Sequence, residues 1–265
     1  MHSFRTHLLA TTAMLALSGG AYAADLAVKA PPVAPPPPVT NWTGFYAGLQ
    51  IGGASFDPSC HTTNSAGFVG GFDDFADPCF VEGEGVQHSG SLSSGSVIGG
   101  GKIGYDWQWN KVVFGVVGEF DWTHLNPSTQ STVNFFDAGT TAGASEKIQW
   151  LASARGRVGW AFDNVLFYAT GGVAWTQIKA GANLSDPLDP DVSWSSQTST
   201  NKTGAVAGGG FEYRVTQNVS VVGELLWYGF GTVSASATNT VGTTYTTQFN
   251  NQDILTGTLG VNWRF

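Results

Sequence analysis

The sequence has little charge, few cysteines and few long apolar runs. Only 11% of its 265 residues are charged, which argues against a coiled coil or a disordered tail. Eleven Lys and Arg stand against nineteen Asp and Glu, so the net charge is -8 and a nucleic-acid backbone would be repelled. We therefore expect no nucleic acid among the partners. The residues that are plentiful are glycine, with 36 copies, and the aromatic residues, at 13%.

The longest mostly apolar run lies near the amino terminus, at residues 8–17. It is shorter than the roughly 18 residues that a transmembrane helix requires. A basic segment precedes it, and Ala21-Tyr22-Ala23 follows as an Ala-x-Ala cleavage pattern. We predict that residues 1–23 are a signal peptide that is cleaved on export. No later run is long enough to cross a bilayer as a helix, so a membrane role requires strands.

A proline-rich segment follows the predicted cleavage site. Six of the eleven prolines lie in residues 30–39, where they disfavour both helix and sheet and favour extended polyproline II conformation. We predict that residues 24–40 form a periplasmic linker and that residues 41–265 form the folded domain.

Most of that domain alternates between apolar and polar residues with a period of two. In residues 112–122 the even positions are mostly large and apolar, whereas Glu119 and Asp121 lie at odd positions. Such alternation is typical of β-strands with two different faces. Eight segments show it, each about as long as the 9–11 residues that a tilted strand needs to cross a bilayer, or slightly longer. They are residues 43–55, 95–107, 112–124, 147–161, 165–178, 203–214, 218–232 and 251–265.

The connections between these segments are short and long in alternation. Very short turns are expected at Asn110-Lys111, Asp163-Asn164 and Thr216-Gln217. The other four connections are long and polar, at residues 56–94, 125–146, 179–202 and 233–250. Short periplasmic turns and long extracellular loops are typical of outer-membrane barrels. The sequence therefore predicts an all-β fold, an eight-stranded antiparallel up-and-down transmembrane β-barrel in the outer membrane.

Alternation alone does not say which face points outward, since a soluble barrel would bury the apolar face. Large aromatic residues lie near strand ends on the apolar face, as in the aromatic girdles of membrane barrels. The opposite face combines glycines with charged residues, which suits a narrow interior. We therefore predict that the apolar face meets lipid.

The segment Asn41-Trp42-Thr43-Gly44-Phe45-Tyr46-Ala47-Gly48, after an Ala-Asp-Leu start and a proline-rich stretch, resembles the RopB-type small outer-membrane β-barrel proteins of alpha-proteobacteria, the porin-family proteins. The resemblance covers essentially the whole chain. It implies an eight-stranded barrel and no catalytic residues. It also implies that the last strand is the signal read by the barrel-assembly machinery, with the residues Leu259, Val261, Trp263 and Phe265.

The inward face of the predicted barrel carries most of the charge. We expect paired charges there, because an unpaired buried charge costs several kcal/mol at least. An eight-stranded barrel leaves room for little beyond such side chains, so we expect a closed or very narrow lumen. The predicted network is Lys102, Asp106, Glu119, Asp121, Arg155, Arg157, Glu212, Arg214, Glu224 and Arg264, with Lys147 on the same parity.

Cys60 and Cys79 are the two cysteines, and both lie in the first long connection. A paired count in an exported protein favours a disulfide, with two free thiols as the alternative. Such a bridge would shape an exposed loop.

Signals for catalysis or metal binding are weak. Gly99-Gly100-Gly101-Lys102 lacks the first glycine of a phosphate loop and lies in a predicted strand. His124 and Ser128 form a nucleophile pair only if a carboxylate orients the histidine, and no recognised spacing supplies one. We therefore predict no enzyme, no catalytic or metal-binding residue and no cofactor.

The prediction for function is an outer-membrane barrel with a structural and surface-interaction role in the cell envelope. Its expected partners are outer-membrane lipid, lipopolysaccharide, the barrel-assembly machinery and an extracellular ligand. Two alternatives remain open: a narrow passive porin-like channel for ions or small solutes, and binding of haem or a host ligand through the extracellular loops.

Overall fold

The structure is a computed structural model that describes residues 40–64, 86–91, 93–133, 140–188, 190–240 and 242–265. The predicted signal peptide, all but the last residue of the predicted linker, and Cys79 lie outside these residues. Within them, no helix is long and apolar enough to cross a membrane.

The described residues form thirteen strands and one short 3-10 helix, Pro190–Val192. The strands are β1 (Gly44–Phe56), β2 (Ser59–Asn64), β3 (Val86–Ser91), β4 (Ser94–Trp109), β5 (Val112–Leu125), β6 (Ser128–Val133), β7 (Thr140–Phe162), β8 (Val165–Ser185), β9 (Trp194–Arg214), β10 (Val219–Gly229), β11 (Val233–Thr238), β12 (Thr244–Asn250) and β13 (Asp253–Arg264).

Eight of these strands close into a ring. The order is β7-β5-β4-β1-β13-β10-β9-β8, and β8 pairs with β7 to complete it. Every neighbouring pair in the ring is antiparallel. The first and last ring strands meet at a seam, where Tyr46 lies opposite Arg264 and Phe56 opposite Ile254. The predicted eight-stranded antiparallel barrel is confirmed.

Short turns lie at one end of the barrel, as predicted. The turns at residues 110–111 and 163–164 each contain a residue in the left-handed region, Asn110 with φ of 56° and Asp163 with φ of 48°. Asparagine and aspartate tolerate this conformation better than most residues, and two-residue hairpins require it. The third short connection lies at residues 215–218. We call this the periplasmic end.

The outward face of the ring is apolar and is bounded at two levels by aromatic residues, all of them exposed except the half-buried Trp150. We define the outer belt as Trp122, Trp150, Trp175 and Trp227 and the periplasmic belt as Trp107, Trp160, Tyr213 and Trp263. Between them, large apolar side chains such as Leu49, Ile103 and Val116 stay exposed. This is the arrangement that a lipid bilayer requires.

At the opposite end the strands continue past the outer belt, which corrects the predicted loop boundaries. Residues 179–202 were expected to be a loop, yet β8 runs to Ser185 and β9 starts at Trp194. The buried apolar residues Ala180, Ala182 and Leu184 alternate with glycine or polar residues, so the β pattern persists beyond the membrane. Beside this hairpin, β11, β12 and β2 form a three-stranded sheet, and β3 and β6 extend the ring sheet from β7. We use the name outer extension for all of these elements together: the β8–β9 hairpin beyond the outer belt, the three-stranded sheet, β3 and β6.

A register shift in β7 separates the two parts of that strand. Its pairing with β8 is interrupted between Ile148 and Leu151, and its pairing with β5 between Ile148 and Trp150. An irregularity of this kind reverses which residues of a strand face inward. Ile148 is therefore buried and Lys147 exposed, which corrects the prediction that Lys147 points into the lumen.

Candidate functional site

The interior of the membrane-spanning part is filled by charged side chains from six ring strands. Nine of the ten residues predicted for the charge network are buried, and we call these nine the charged interior. They fall into two clusters of four residues and one separate residue, Asp121. The residues are Lys102, Asp106, Glu119, Asp121, Arg155, Arg157, Glu212, Glu224 and Arg264.

The cluster nearer the outer end is built around Arg155. Its guanidinium NH2 donates to Glu119 Oε2 at 2.6 Å and its NH1 donates to Glu224 Oε1 at 3.0 Å. Lys102 Nζ lies 2.9 Å from Glu224 Oε2 and 3.5 Å from Glu119 Oε2. Two cations and two carboxylates thus alternate around one point, so each charge taken out of water has an opposite charge beside it.

The cluster nearer the periplasmic end is built around Asp106. Arg157 Nε donates to Asp106 Oδ1 at 2.7 Å, and Arg157 NH2 donates to Asp106 Oδ2. Arg264 NH2 donates to the same Oδ2 atom at 2.8 Å. Glu212 completes the cluster through Arg157 NH1 at 3.3 Å and through the Ser220 hydroxyl at 2.5 Å. Arg157 is therefore held by carboxylates from two different strands, β4 and β9.

Asp121 is held differently from the other carboxylates. Gln50 Nε2 donates to both of its oxygens, at 2.9 and 3.1 Å. Among the described residues no Lys, Arg or His nitrogen lies within 4.0 Å of it. The charged interior thus contains four cations and five carboxyl groups.

A glycine makes room for the periplasmic cluster. A Cβ atom at Gly115 would lie 2.1 Å from Asp106 Oδ1, which is too close for any side chain. Gly118, on the lipid face of the same strand, has nothing within 4 Å of such a position. The inward glycines therefore supply space beside long charged residues, as the sequence led us to expect.

Arg214, the tenth predicted residue, lies at the periplasmic mouth and is only half-buried. Its guanidinium carbon lies 4.4 Å from the centre of the Trp42 ring, and its NH1 donates to Asn41 O at 2.8 Å. Arg264 contacts the same indole from above, at 5.5 Å. Trp42, which is fully buried, closes this end of the interior.

Sequence reasoning missed the layer above the charged interior. Here the interior is filled by fully buried apolar side chains, which belong to one continuous cluster. The sequence carries one sign of this layer. The adjacent apolar pair Trp150-Leu151 breaks strict alternation at the register shift in β7. We call this set the apolar layer: Phe56, Ile98, Leu125, Ile148, Leu151, Ile178, Leu226, Tyr228, Phe249 and Ile254.

One carboxyl group lies at the level of the outer extension. Glu146, on the part of β7 beyond the outer belt, is buried, and its Oε2 accepts from Gln252 Nε2 at 3.4 Å. Its Oε1 and the Gln252 Oε1 have no hydrogen-bond partner. Burial raises the pKa of the Glu146 carboxyl to about 7, although the hydrogen bond from Gln252 lowers it.

The remaining predictions concern the cysteines and the last strand. Cys60 was expected in an exposed loop, which the structure corrects. Cys60 lies in β2, packs against the apolar layer and is disulfide-bonded. Its pairing with Cys79 stays a prediction, because Cys79 lies outside the described residues. In the described part of the chain, no group of three or more His, Cys, Asp and Glu side chains is arranged to hold a metal ion. The residues proposed for assembly all lie on the lipid face of β13 or directly after it: Leu259, Val261, Trp263 and Phe265.

A closed antiparallel ring with a lipid-facing apolar surface, two aromatic belts and paired charges inside defines a transmembrane β-barrel of the outer membrane. The chain belongs to the outer membrane protein beta-barrel domain family, which its residues 10–265 match. It is a small alpha-proteobacterial outer-membrane protein with a surface role, as the resemblance in its sequence implied.

Two relatives and one solved structure illustrate the similarity. A 31 kDa outer-membrane immunogenic protein of Brucella melitensis is 31% identical over 230 residues, which cover 84% of this chain and 86% of the relative. A 25 kDa outer-membrane immunogenic protein of Brucella abortus is 25% identical over 268 residues, which cover 100% of both chains. The crystal structure of OprG from Pseudomonas aeruginosa is 11% identical with a TM-score of 0.47, covering 86% of this chain and 99% of that one.

Proposed function

We propose that this protein is a closed barrel that carries a folded extracellular β-structure, and that it does not conduct ions or solutes. The observation that supports the proposal is the apolar layer. Its ten residues are each at most 1% exposed. A conducting pore requires a continuous water path, and a packed layer of Ile, Leu and aromatic side chains supplies none.

The charged interior supports the same proposal. Arg155 donates to Glu119 and Glu224, and its side chain is fully buried. A selectivity element has to bind ions weakly enough to release them, whereas eight of these nine groups are paired with one another and Asp121 is held by Gln50. We assign them a structural role: they fill and hold the barrel where lipid surrounds it.

The outer extension is the part that can meet other molecules. Its outward residues are mostly Ser, Thr, Gln and Asn on β9, β11 and β12, with Asp186 and Asp191 at the tip of the β8–β9 hairpin. A folded β-surface presents these groups in fixed positions, which suits contact with an extracellular ligand. The immunogenic relatives from Brucella accord with exposure of this region on the cell surface.

We infer no catalytic role. His124 is exposed at the outer end of β5, and its backbone N–H donates to Ser96 Oγ at 3.2 Å. The residues of the weak phosphate-loop match, Gly99 to Lys102, lie within β4 with no helix after them. Neither arrangement supplies an oriented nucleophile or a phosphate cradle.

Conductance in a planar bilayer tests the proposal, after heat-dependent gel mobility has shown that the refolded barrel is inserted. We expect no current steps from the native protein. Stable, salt-dependent current steps from correctly inserted native protein would overturn the proposal and favour the narrow-channel alternative.

A pair of double variants shows that the assay can detect opening. Tyr228→Ala with Phe249→Ala removes two aromatic rings from the apolar layer, and we expect a higher conductance than for the native protein. Phe114→Ala with Phe120→Ala removes two rings from the lipid face, and this matched control should stay silent.

We also propose that Leu259, Val261, Trp263 and Phe265 are read by the barrel-assembly machinery. Their exposure on one face of the seam strand supports this, because a partner can reach them before the barrel closes. In cells, Phe265→Ser should lower the amount of folded barrel several-fold while refolding in detergent stays unchanged. Equal losses in both settings would assign Phe265 to stability instead.

A further inference from the structure

Two lysines face each other on the outside of the barrel, just beyond the outer belt. Lys147 on β7 is the register partner of Lys179 on β8, and both side chains are exposed. Directly opposite residues in an antiparallel pair have Cβ atoms about 4.5–5.5 Å apart. The register shift in β7 is what turns Lys147 outward and creates this pair.

This arrangement is unfavourable unless something else neutralises it. Like charges directly opposite on a sheet destabilise it. Within the described residues, no carboxylate lies within 4.0 Å of either ammonium group. The described residues carry eleven Asp and Glu, yet none of these carboxylates is placed here. The pair is therefore open to an anionic partner at the surface of the barrel.

The position of the pair indicates where that partner lies. A strand rises about 3.3 Å per residue and barrel strands tilt by about 40°. Lys147 is therefore roughly 8 Å beyond Trp150, and Lys179 roughly 10 Å beyond Trp175. Tryptophan belts sit at the headgroup level of a membrane. The two ammonium groups thus lie at or just above the headgroups of the outer leaflet.

The lysines also line a groove of about 650 Å³ on the outer surface. Ser145 and Ser199 border it beside the lysines, and Ser128 and Gln197 line it from β6 and β9. Among the described residues the one acid in its lining is Glu146, whose side chain is buried and accepts from Gln252. Ammonium groups flanked by hydroxyl and amide donors form a suitable surface for a phosphate group attached to a sugar.

We propose that Lys147 and Lys179 form a binding site for a phosphate group of lipopolysaccharide in the outer leaflet. The lysines supply point charges, and the neighbouring groove accommodates the sugar that carries the phosphate. This inference does not depend on whether the barrel conducts, since it requires only insertion in the outer membrane.

Binding of lipid A to the refolded protein in neutral detergent tests the site. We expect Lys147→Ala with Lys179→Ala to weaken the binding of diphosphorylated lipid A at least tenfold, and added salt to weaken binding to the native protein. Lys111→Ala, at an exposed lysine of the periplasmic turn, is the matched control and should bind as the native protein does. Equal affinity of the double variant and the native protein would overturn the proposal.

Two further arms identify the source of the phosphate. Lipid A stripped of both phosphates should bind the native protein no better than it binds the double variant; if it binds as tightly as the intact lipid, phosphate recognition is wrong. Inorganic phosphate should compete only at concentrations far above those of lipid A. Competition at equal concentrations would assign the site to free phosphate and overturn the lipid assignment.

Stability provides a readout that does not require a binding assay. Without an anion, removal of one lysine relieves repulsion, so Lys147→Gln should raise the urea midpoint of unfolding in neutral detergent. In vesicles that contain lipid A, the same substitution should lower it. A change of the same sign in both media would show that the lysines serve the fold rather than a lipid.

Discussion

The membrane-spanning part of the barrel is apolar outside and charged inside, whereas the outer extension is polar outside and apolar inside. Below the outer belt, β7 turns Arg155 and Arg157 inward and Val158 toward lipid. Above the belt, the same strand turns Ile148 inward and Lys147 outward. On β8 the outward residues change from Phe167 and other apolar groups to polar groups beyond Trp175, with no break in its register with β9.

The comparison teaches that the surroundings of a strand, rather than the strand itself, decide which face is apolar. Where lipid surrounds the ring, charged side chains cannot be solvated on the outward face, so they point inward and most of them pair with one another. Where water surrounds it, the ordinary hydrophobic core of a soluble β-structure forms inside. The two interiors meet between Glu119, in the charged interior, and Tyr228, in the apolar layer, whose hydroxyl donates to that carboxylate at 3.4 Å.

The largest expected effect comes from breaking the charged interior. Arg155→Ala leaves Glu119 and Glu224 with Lys102 as their remaining cation, and loss of one partner from a buried charge pair costs about 3–5 kcal/mol. Urea unfolding of the refolded barrel in lipid vesicles measures this change. Lys111→Ala removes an exposed cation and should cost almost nothing. A loss below about 1 kcal/mol for Arg155→Ala would show that water, not protein, solvates these carboxylates.

The next effect compares the outward faces of the two regions. Val116→Arg places a charge midway between the belts and should cost about 2–4 kcal/mol, because lipid cannot solvate it. Ser195→Arg places the same charge on the outer extension, where water surrounds it, and should change the free energy of unfolding by less than about 1 kcal/mol. Equal costs at the two positions would contradict the assignment of the outer belt.

A smaller effect concerns the carboxyl group buried at the level of the outer extension. The folded-state pKa of Glu146 is about 7, above the ordinary value of 4.5, so the folded protein keeps a proton that the unfolded chain loses. Stability should therefore fall as pH rises from about 4.5 to about 7 and level off above that, with a loss of about 1–3 kcal/mol. Glu146→Gln should abolish this loss. The unfolding midpoints of the native protein and of this variant are measured from pH 4 to pH 8. If the midpoint falls with pH as steeply in the variant as in the native protein, another group is responsible.

The smallest effect probes the packing of the apolar layer. Ile178→Val removes one buried methylene and should cost about 1 kcal/mol. Asn183→Ala, at an exposed position further along β8, should stay within about 0.5 kcal/mol of the native protein. Thermal unfolding in detergent compares the two. Similar small changes at both sites would indicate that the layer is loosely packed and would weaken the argument for a closed barrel.

The membrane-spanning part could be predicted because its pattern is enforced at every position. Lipid excludes charge from one face, so alternation together with the aromatic residues near the strand ends placed Lys102, Glu119 and Arg157 inside. The three tight turns followed from short polar pairs such as Asn110-Lys111. The pairing of particular charges depends on the stagger of the ring, which a single sequence does not specify.

The outer extension was harder to predict, since water tolerates polar residues on strands and loops alike. Residues 194–202 are rich in Ser and Thr and were assigned to a loop, yet they form the first part of β9. Lys147 was placed on the wrong face because one irregularity reverses parity, and the sequence marks it only by two adjacent apolar residues, Trp150 and Leu151.

The pairing of β1 with β13 at the seam is the step that closes the barrel. Arg264 NH1 donates to Trp42 O, 222 positions earlier in the chain, and Phe265 N donates to Phe45 O at 3.0 Å. The strand that completes the ring, β13, follows the other seven ring strands along the chain. Until β13 is in place the ring cannot close, because β1 is paired with β4 along one edge only. A chain without β13 therefore keeps two open sheet edges, on β1 and β10, and open edges of this kind favour aggregation.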